Sequence, residues 1–91
     1  MTKRNDLRRD QIESWLLDQN APTLLADGFD GAFIGVLNEN DEPRAVYSID
    51  KCIDLLVKGG MTRISAEEYF YFNVIGSYVG PQTPIFIFTI K

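Results

Sequence analysis

A chain of 91 residues, of which 45% are apolar and 24% charged, is long enough for one domain and too short for two. It contains no histidine and a single cysteine, Cys52, which excludes internal disulfides, histidine-dependent catalysis and zinc sites of the Cys/His kind. No leader resembling a secretion signal opens the sequence, so we expect the protein to work in a reducing cytoplasm. We expect Cys52 itself to be a buried apolar residue.

The net charge of -4 is unevenly distributed along the chain. Four basic residues and one acid lie within the first nine positions, which leaves five basic and twelve acidic side chains for the other 82 residues. We interpret residues 1–91 as a single domain in which residues 1–6 form a flexible basic arm. Because contacts with phosphate supply much of the affinity for nucleic acid, the acidic body argues against a nucleic-acid partner.

The first predicted element is a helix over residues 7–18. Ile12, Trp15 and Leu16 fall at i, i+3 and i+4, which is the spacing of one helical face. Asp10 is the expected cap, since an acid three residues later completes a pattern resembling a capping box. A proline four residues after this segment prevents the helix from continuing.

Strand-like segments follow. Residues 23–26 form a short β-like run, residues 27–31 have turn composition, and residues 32–37 form a stronger β run. After an acidic loop at 38–43, residues 44–48 alternate, with Ala45 and Tyr47 on one face of a strand and Val46 on the other. The sequence therefore predicts an antiparallel hairpin around the acidic loop.

The clearest helical pattern begins at Ser48 or Asp50, either of which can cap a helix. Its apolar positions recur at i, i+3, i+4, i+7 and i+8: Ile49, Cys52, Ile53, Leu56 and Val57. Two glycines at 59–60 end it. Thr62 then caps a third helix, predicted to run to Ser77 or Tyr78, and residues 85–90 form a last strand.

These elements predict an α+β fold. Its small antiparallel sheet of three to four strands would be built from residues 23–48 and 84–90, with the N-terminal helix and two further helices packed on it. The last strand is expected to pair inside the sheet. Because both of its faces are apolar, both need cover, which makes a homodimer or a protein partner a reasonable expectation.

Residues 69–90 form a 22-residue stretch without a charged side chain. Glycine and prolines at 80–84 divide it into pieces too short to span a membrane. Four successive aromatic residues at 69–72 point all around a helix, so some must face away from the core and can form a partner surface. The interface candidates are the aromatic residues Tyr69, Phe72 and Tyr78, together with the loop acids Glu39, Asp41 and Glu42.

A second interpretation is a small-ligand or nucleotide site, or a small enzyme, using Asp27, Asp30, Asn73 and Tyr78. Asn73 is a polar residue in an apolar helix, and its simpler role is to hydrogen-bond the turn at 27–31. The spacing of acids in that turn lacks the ligand pattern of a calcium loop. The sequence therefore indicates no metal, cofactor or catalytic residue, and whether the protein is an enzyme stays uncertain, with the balance against it.

Several short blocks resemble a family of short phage- and prophage-encoded proteins of unknown function, over roughly residues 23–88. The blocks are Ala26-Asp27-Gly28-Phe29, Tyr47, the helix with Cys52, Glu67-Glu68-Tyr69-Phe70, Phe72-Asn73-Val74, Gly76, Tyr78-Val79-Gly80 and Thr83-Pro84. The last blocks, FNVIGSYVG followed by TP, are the more specific part. The sequence departs from the family pattern at Ser48, where members tend to have aspartate, and at Ser77, where they tend to have alanine.

The resemblance implies a phage or mobile-element source and the host cytoplasm as the place of action, but no activity. The leading hypothesis is therefore a non-enzymatic phage accessory protein that binds and inhibits a host protein, with defence components among the candidates. The small-ligand site is the first alternative. Mimicry of nucleic acid by the acidic body is the second, although its acids are widely dispersed.

Overall fold

Within residues 8–39 and 41–90, which a computed structural model describes, the chain forms three α-helices, a π-helical turn and a three-stranded sheet. The elements in chain order are α1 (Arg9–Asp18), a 3₁₀ turn (Asp30–Ala32), β1 (Phe33–Glu39), β2 (Glu42–Ser48), α2 (Ile49–Lys58), α3 (Arg63–Tyr69), the π-helical turn (Phe70–Val74) and β3 (Ile85–Ile87). The predicted α+β class is confirmed. The predicted basic arm at 1–6 lies outside the described residues.

Helix α1 presents its predicted apolar face to the core. Ile12 and Leu16 are buried on this face, whereas Trp15 is 42% exposed and packs edge-on against Phe33. The predicted capping by Asp10 is wrong: Arg8 is the N-cap residue, and its backbone N–H donates to Gln11 Oε1 at 2.9 Å. Asp10 lies inside the first turn, where its carboxylate accepts from the Gln11 N–H at 3.0 Å and interacts favourably with the helix dipole.

The predicted antiparallel hairpin is confirmed, but its loop is shorter than expected. The strands run to Glu39 and restart at Glu42. Asp41 takes a positive φ of 60°, a conformation that aspartate tolerates in tight turns. On β2, Ala45 and Tyr47 are fully buried, which confirms that they share the core-facing side of the strand.

The predicted β-like run at 23–26 is wrong, since this segment has no regular secondary structure and pairs with no strand in the described structure. Side chains hold it instead. Thr23 Oγ1 donates to the Pro43 carbonyl at 2.9 Å, and the Ala26 N–H donates to the Tyr47 hydroxyl at 2.8 Å. These bonds satisfy part of the backbone without a ladder, so the segment covers the core as a loop.

Helix α2 forms as predicted. Ser48 Oγ accepts from the Lys51 N–H at 3.3 Å and so caps the helix. Gly60 has a φ of 120° just beyond the last turn, a conformation that is cheap only for glycine.

Helix α3 also starts as predicted but does not extend to Ser77. Thr62 Oγ1 accepts from the Ser65 N–H at 3.1 Å. After α3 the helix widens into a π-helical turn, in which the Ile75 N–H donates to the Phe70 carbonyl at 3.0 Å. Turns of this kind are rare overall, but those that occur are often found at functional sites. Here the turn ends the helix before the predicted boundary.

Strand β3 pairs with β2 in parallel, and the strand order is β1-β2-β3. The prediction of an antiparallel sheet is therefore wrong for this strand, which is an edge strand and does not lie inside the sheet. The reason is the connection: α2 and α3 lie between β2 and β3, and a helical crossover returns the chain in its original direction. Tyr47 and Phe86 are direct partners across the two strands.

The core lies on the helix-bearing side of the sheet and centres on Phe70, whose side chain is fully buried. Its ring contacts Phe29 and Phe86 edge-on, with centroid distances of 6.0 and 5.3 Å. Cys52 is buried as predicted, and burial raises the pKa of its thiol to about 12. No helix of the described residues is long and apolar enough to cross a membrane.

Candidate interaction surface

The four consecutive aromatic residues at 69–72 meet different environments. Phe70 is fully buried, Tyr69 and Tyr71 are 43% and 42% exposed, and Phe72 is 81% exposed. Since successive residues of a helix point about 100° apart, only one of four can occupy the centre of the core. The core therefore uses Phe70 and leaves Phe72 in solvent.

A second exposed apolar group follows the π-helical turn. Tyr78 is 76% exposed and Val79 is 60% exposed. The loop beneath them is fixed by Thr83, whose Oγ1 accepts from the Val79 N–H at 2.9 Å and donates to the Gly80 carbonyl at 2.6 Å. Gly80 has a φ of 114°, which favours glycine. Tyr78 and Val79 thus stand on a hydrogen-bonded loop.

A groove of about 440 Å³ lies between the 24–29 loop and the end of the helical segment; we call it the Tyr69 groove. Its apolar walls include Leu24, Tyr69 and Phe86, and its polar positions include Asp27 and Asn73. A mainly apolar concavity with a few polar groups is typical of small-ligand sites. The groove is the described feature that best matches the alternative, ligand-binding interpretation.

A second groove, of about 470 Å³, runs beside the hairpin turn; we call it the hairpin groove. Asp41 and Glu42 line it together with Val79 and Gln82. Gln82 Nε2 donates to the carbonyls of Pro22 and Pro43 at 2.9 and 3.0 Å, respectively, and so ties the C-terminal loop to the hairpin. The fold therefore brings two predicted interface acids next to the exposed Val79.

Asp27 and Asp30 are held by Arg9, a residue that the sequence interpretation missed. Arg9 Nη2 lies 3.1 Å from Asp27 Oδ1, and Arg9 Nε lies 3.1 and 3.3 Å from the two oxygens of Asp30. These hydrogen bonds, above all those that Arg9 donates to Asp30, raise the pKa of the Arg9 guanidinium. Arg9 is three residues before Ile12 and seven before Leu16, so the helical spacing of α1 already placed it on the buried face.

Tyr47 extends this cluster into the core. Its hydroxyl oxygen accepts the Ala26 N–H, and burial is the main cause that raises its pKa, with a smaller contribution from Asp30. A buried tyrosine needs such a partner for its hydroxyl. The contacts of Asp27 and Asp30 with Arg9 thus belong to a structural cluster that fastens α1 and the 26–30 loop to β2.

The predicted ligand residues are only partly brought together. Asp27 and Asn73 both line the Tyr69 groove, whereas Asp30 and Tyr78 do not. Within the described residues, the Asn73 side chain makes no hydrogen bond with the 27–31 turn, contrary to the prediction; its backbone carbonyl accepts from Ser77 Oγ at 2.8 Å. Asn73 is exposed, so its amide can bond to water.

The predicted interface residues are exposed where the structure describes their side chains. This holds for Tyr69, Phe72, Tyr78, Asp41 and Glu42, whereas the Glu39 side chain lies outside the description. The described residues contain no cluster of three or more candidate metal ligands. Comparisons of the chain with protein-family models, with curated proteins and with solved structures find no match.

Proposed function

We propose that this chain is a non-enzymatic phage accessory protein that binds a host protein in the host cytoplasm and inhibits it, with defence components among the candidate targets. The binding surface would be the exposed aromatic surface, which we define as Tyr69, Phe72, Tyr78 and Val79. The phage origin in this proposal follows from the resemblance of the FNVIGSYVG block and the TP that follows it.

The observation that carries the proposal is the 81% exposure of Phe72. A phenylalanine at this position adds nothing to the core, which already uses Phe70. Together, the exposed parts of Tyr69, Phe72 and Tyr78 amount to on the order of 400 Å², about half of what each partner buries in a standard interface. Aromatic side chains are the residues that most often dominate binding energy at such interfaces.

The acids of the hairpin groove support the same interpretation. Asp41 and Glu42 lie beside Val79, at the margin of the aromatic surface. Neither makes a salt bridge with another described residue. Charged groups at the rim of an interface favour partners of opposite charge and speed their encounter. We therefore expect the bound face of the partner to be apolar at its centre and basic at one side.

The test is affinity capture from a bacterial host lysate, with partners quantified by mass spectrometry. The chain is used with an N-terminal tag, as wild type and as Phe72→Ala and Tyr78→Ala. We expect the wild type to enrich a specific protein. The amount captured by each variant should be at least tenfold lower, because truncation of a central aromatic residue costs about 2 kcal/mol or more of binding free energy.

Ile64→Ala is the matched control. Ile64 is 71% exposed and lies on α3, outside the aromatic surface, so its truncation removes a similar amount of exposed apolar area. Capture that falls equally for Ile64→Ala and Phe72→Ala would indicate nonspecific adhesion. Capture that survives both Phe72→Ala and Tyr78→Ala would exclude the aromatic surface as the binding site.

A second candidate function is the binding of a small ligand, such as a nucleotide, in the Tyr69 groove. Its volume of about 440 Å³ falls within the usual range of ligand pockets, and Asp27 and Asn73 supply polar contacts. A thermal-shift screen with nucleotides and metabolites tests it. A ligand at a hundred times its dissociation constant stabilises the fold by about 2.7 kcal/mol, and Asn73→Ala should abolish that shift while Tyr78→Ala should not.

A further inference from the structure

The two edges of the sheet differ in how they are protected against pairing with another strand. Along the β1 edge the register shifts between Phe33 and Gly35, and the strand ends in Asn38 and the charged Glu39. Bulges and charged residues are the usual devices that keep an edge strand from pairing. The β1 edge is therefore blunted by its own sequence.

The β3 edge, at Ile85–Ile87, is short, but it carries neither a bulge nor a charge. Residues 85–90 read IFIFTI, without a charge, a proline or a glycine. One side of β3 pairs with β2, and no backbone group of residues 85–90 bonds to any other segment of the described chain. An uncharged edge of β-branched and aromatic residues is a template for a further strand.

Side chains along this edge are also uncovered. Ile87 is 38% exposed, Phe88 71% and Ile90 101%. Val46 and Ile85, which share one face of the sheet with Ile87, are half-buried. A further strand beside β3 would cover these side chains while it satisfied the free backbone groups.

We propose that the strand that covers this edge comes from a second copy of the chain, with residues 85–90 of the two copies paired antiparallel about a twofold axis. The charge distribution favours this occupant. At a twofold interface each patch faces itself, so a charged patch would meet its own charge. Residues 85–90 carry no charge in a protein whose net charge is -4, and they let two acidic bodies approach without bringing like charges together.

This inference does not depend on the proposed host-binding function, because it rests on the strand edge and not on the aromatic surface. Twofold pairing of two edge strands is necessarily antiparallel and would join the two sheets into one of six strands. The proposal also specifies both neighbours of the last strand. β2 pairs with one of its edges, and the partner copy would pair with the other.

Sedimentation velocity of the full chain over a range of concentrations tests the proposal. We expect the wild type to sediment with twice the mass of 10.3 kDa, and Phe88→Lys to sediment as a monomer, because lysine on an edge strand prevents pairing. Ile64→Lys is the matched control, since Ile64 and Phe88 are both 71% exposed; it should remain a dimer. Phe72→Ala should also remain a dimer.

Ile90→Lys covers the case in which Phe88→Lys fails to fold. Ile90 is 101% exposed, so its replacement cannot disturb the monomer, and it should also yield monomers. A monomeric wild type would overturn the proposal and leave the edge to a strand of another protein. Dimers that persist in the folded edge variants, or that dissociate equally in Ile64→Lys, would overturn it as well.

Discussion

The segment from Ala45 to Ile53 and the segment from 69 to 90 are both rich in apolar residues, yet the fold uses them differently. In the first, Ala45, Tyr47, Ile49, Cys52 and Ile53 are each at most 3% exposed. In the second, among the larger apolar residues, only Phe70 reaches that degree of burial. Hydrophobicity in the first segment stabilises the domain, whereas most of it in the second remains available for contacts with other molecules.

The largest effect that this comparison predicts is that of Phe70→Ala. Phe70 is the fully buried member of the second segment and contacts both Phe29 and Phe86. We expect its truncation to lower the free energy of unfolding by about 3 to 5 kcal/mol, measured by chemical denaturation. Phe70→Leu, which keeps most of the volume, is the control and should lose less. A loss under about 1 kcal/mol for Phe70→Ala would contradict the placement of this ring.

The burial of Cys52 in the first segment should make the free energy of unfolding depend on pH in alkaline solution. The pKa of Cys52 is raised from 9.0 to about 12 in the folded state, so above pH 9 the folded protein keeps a proton that the unfolded chain loses. The stabilisation by Cys52 is thus complete below about pH 9 and declines by about 1.4 kcal/mol per unit as the pH rises to 12.

Urea denaturation between pH 8 and 11 measures this slope. Cys52→Ala removes the thiol and should show a shallower decline. Some decline in stability should remain in the variant at the upper end of this range, because the pKa of Tyr47 is also raised in the folded state. Equal slopes for the variant and the wild type would contradict the burial of the thiol.

Tyr47→Phe tests the polar contact of the first segment. The substitution keeps the buried ring but leaves the Ala26 N–H without the hydroxyl that it bonds at 2.8 Å. We expect a loss of about 1 to 2 kcal/mol in the free energy of unfolding, with faster hydrogen exchange at the Ala26 amide. Unchanged exchange at that amide would show that the bond does not hold the 23–26 loop.

A smaller effect is expected at Arg9. Its side chain is 35% exposed, and its pairs with Asp27 and Asp30 are partly screened by water. Arg9→Met should cost about 0.5 to 1 kcal/mol, and less in high salt. Arg8→Met removes a pair whose partners are 68% and 70% exposed and is the matched control with almost no effect. If both variants behave alike, Arg9 does not anchor α1.

The sequence predicted those parts of the fold that local patterns determine. The apolar spacing of α2, its Ser48 cap and its terminal glycines act within the helix itself, and the β-hairpin depends on neighbouring residues. The direction of β3 could not be read in this way, because it depends on how the helical crossover returns the chain to the sheet. Residues 23–26 have a β-like composition, but the groups that bond them, the Pro43 carbonyl and the Tyr47 hydroxyl, are distant in sequence and leave no local pattern.

For the candidate site, the sequence predicted which types of residue it contains but not which of them are exposed. The uncharged stretch and its run of aromatic residues indicated that some rings would remain exposed, but which ring enters the core depends on the rotation of the helix and on the π-helical turn. Arg9 was missed because it was interpreted only as one of four basic residues at the start of the chain. Its spacing from Ile12 and Leu16 was the signal that could have identified it.

The most direct test of the comparison is the free energy of unfolding of Phe72→Ala. Phe72 is 81% exposed, so if its ring is available for a partner and not needed by the core, truncation should change stability by no more than about 0.5 kcal/mol. A loss of several kcal/mol, similar to that of Phe70→Ala, would place Phe72 in the core and contradict the account.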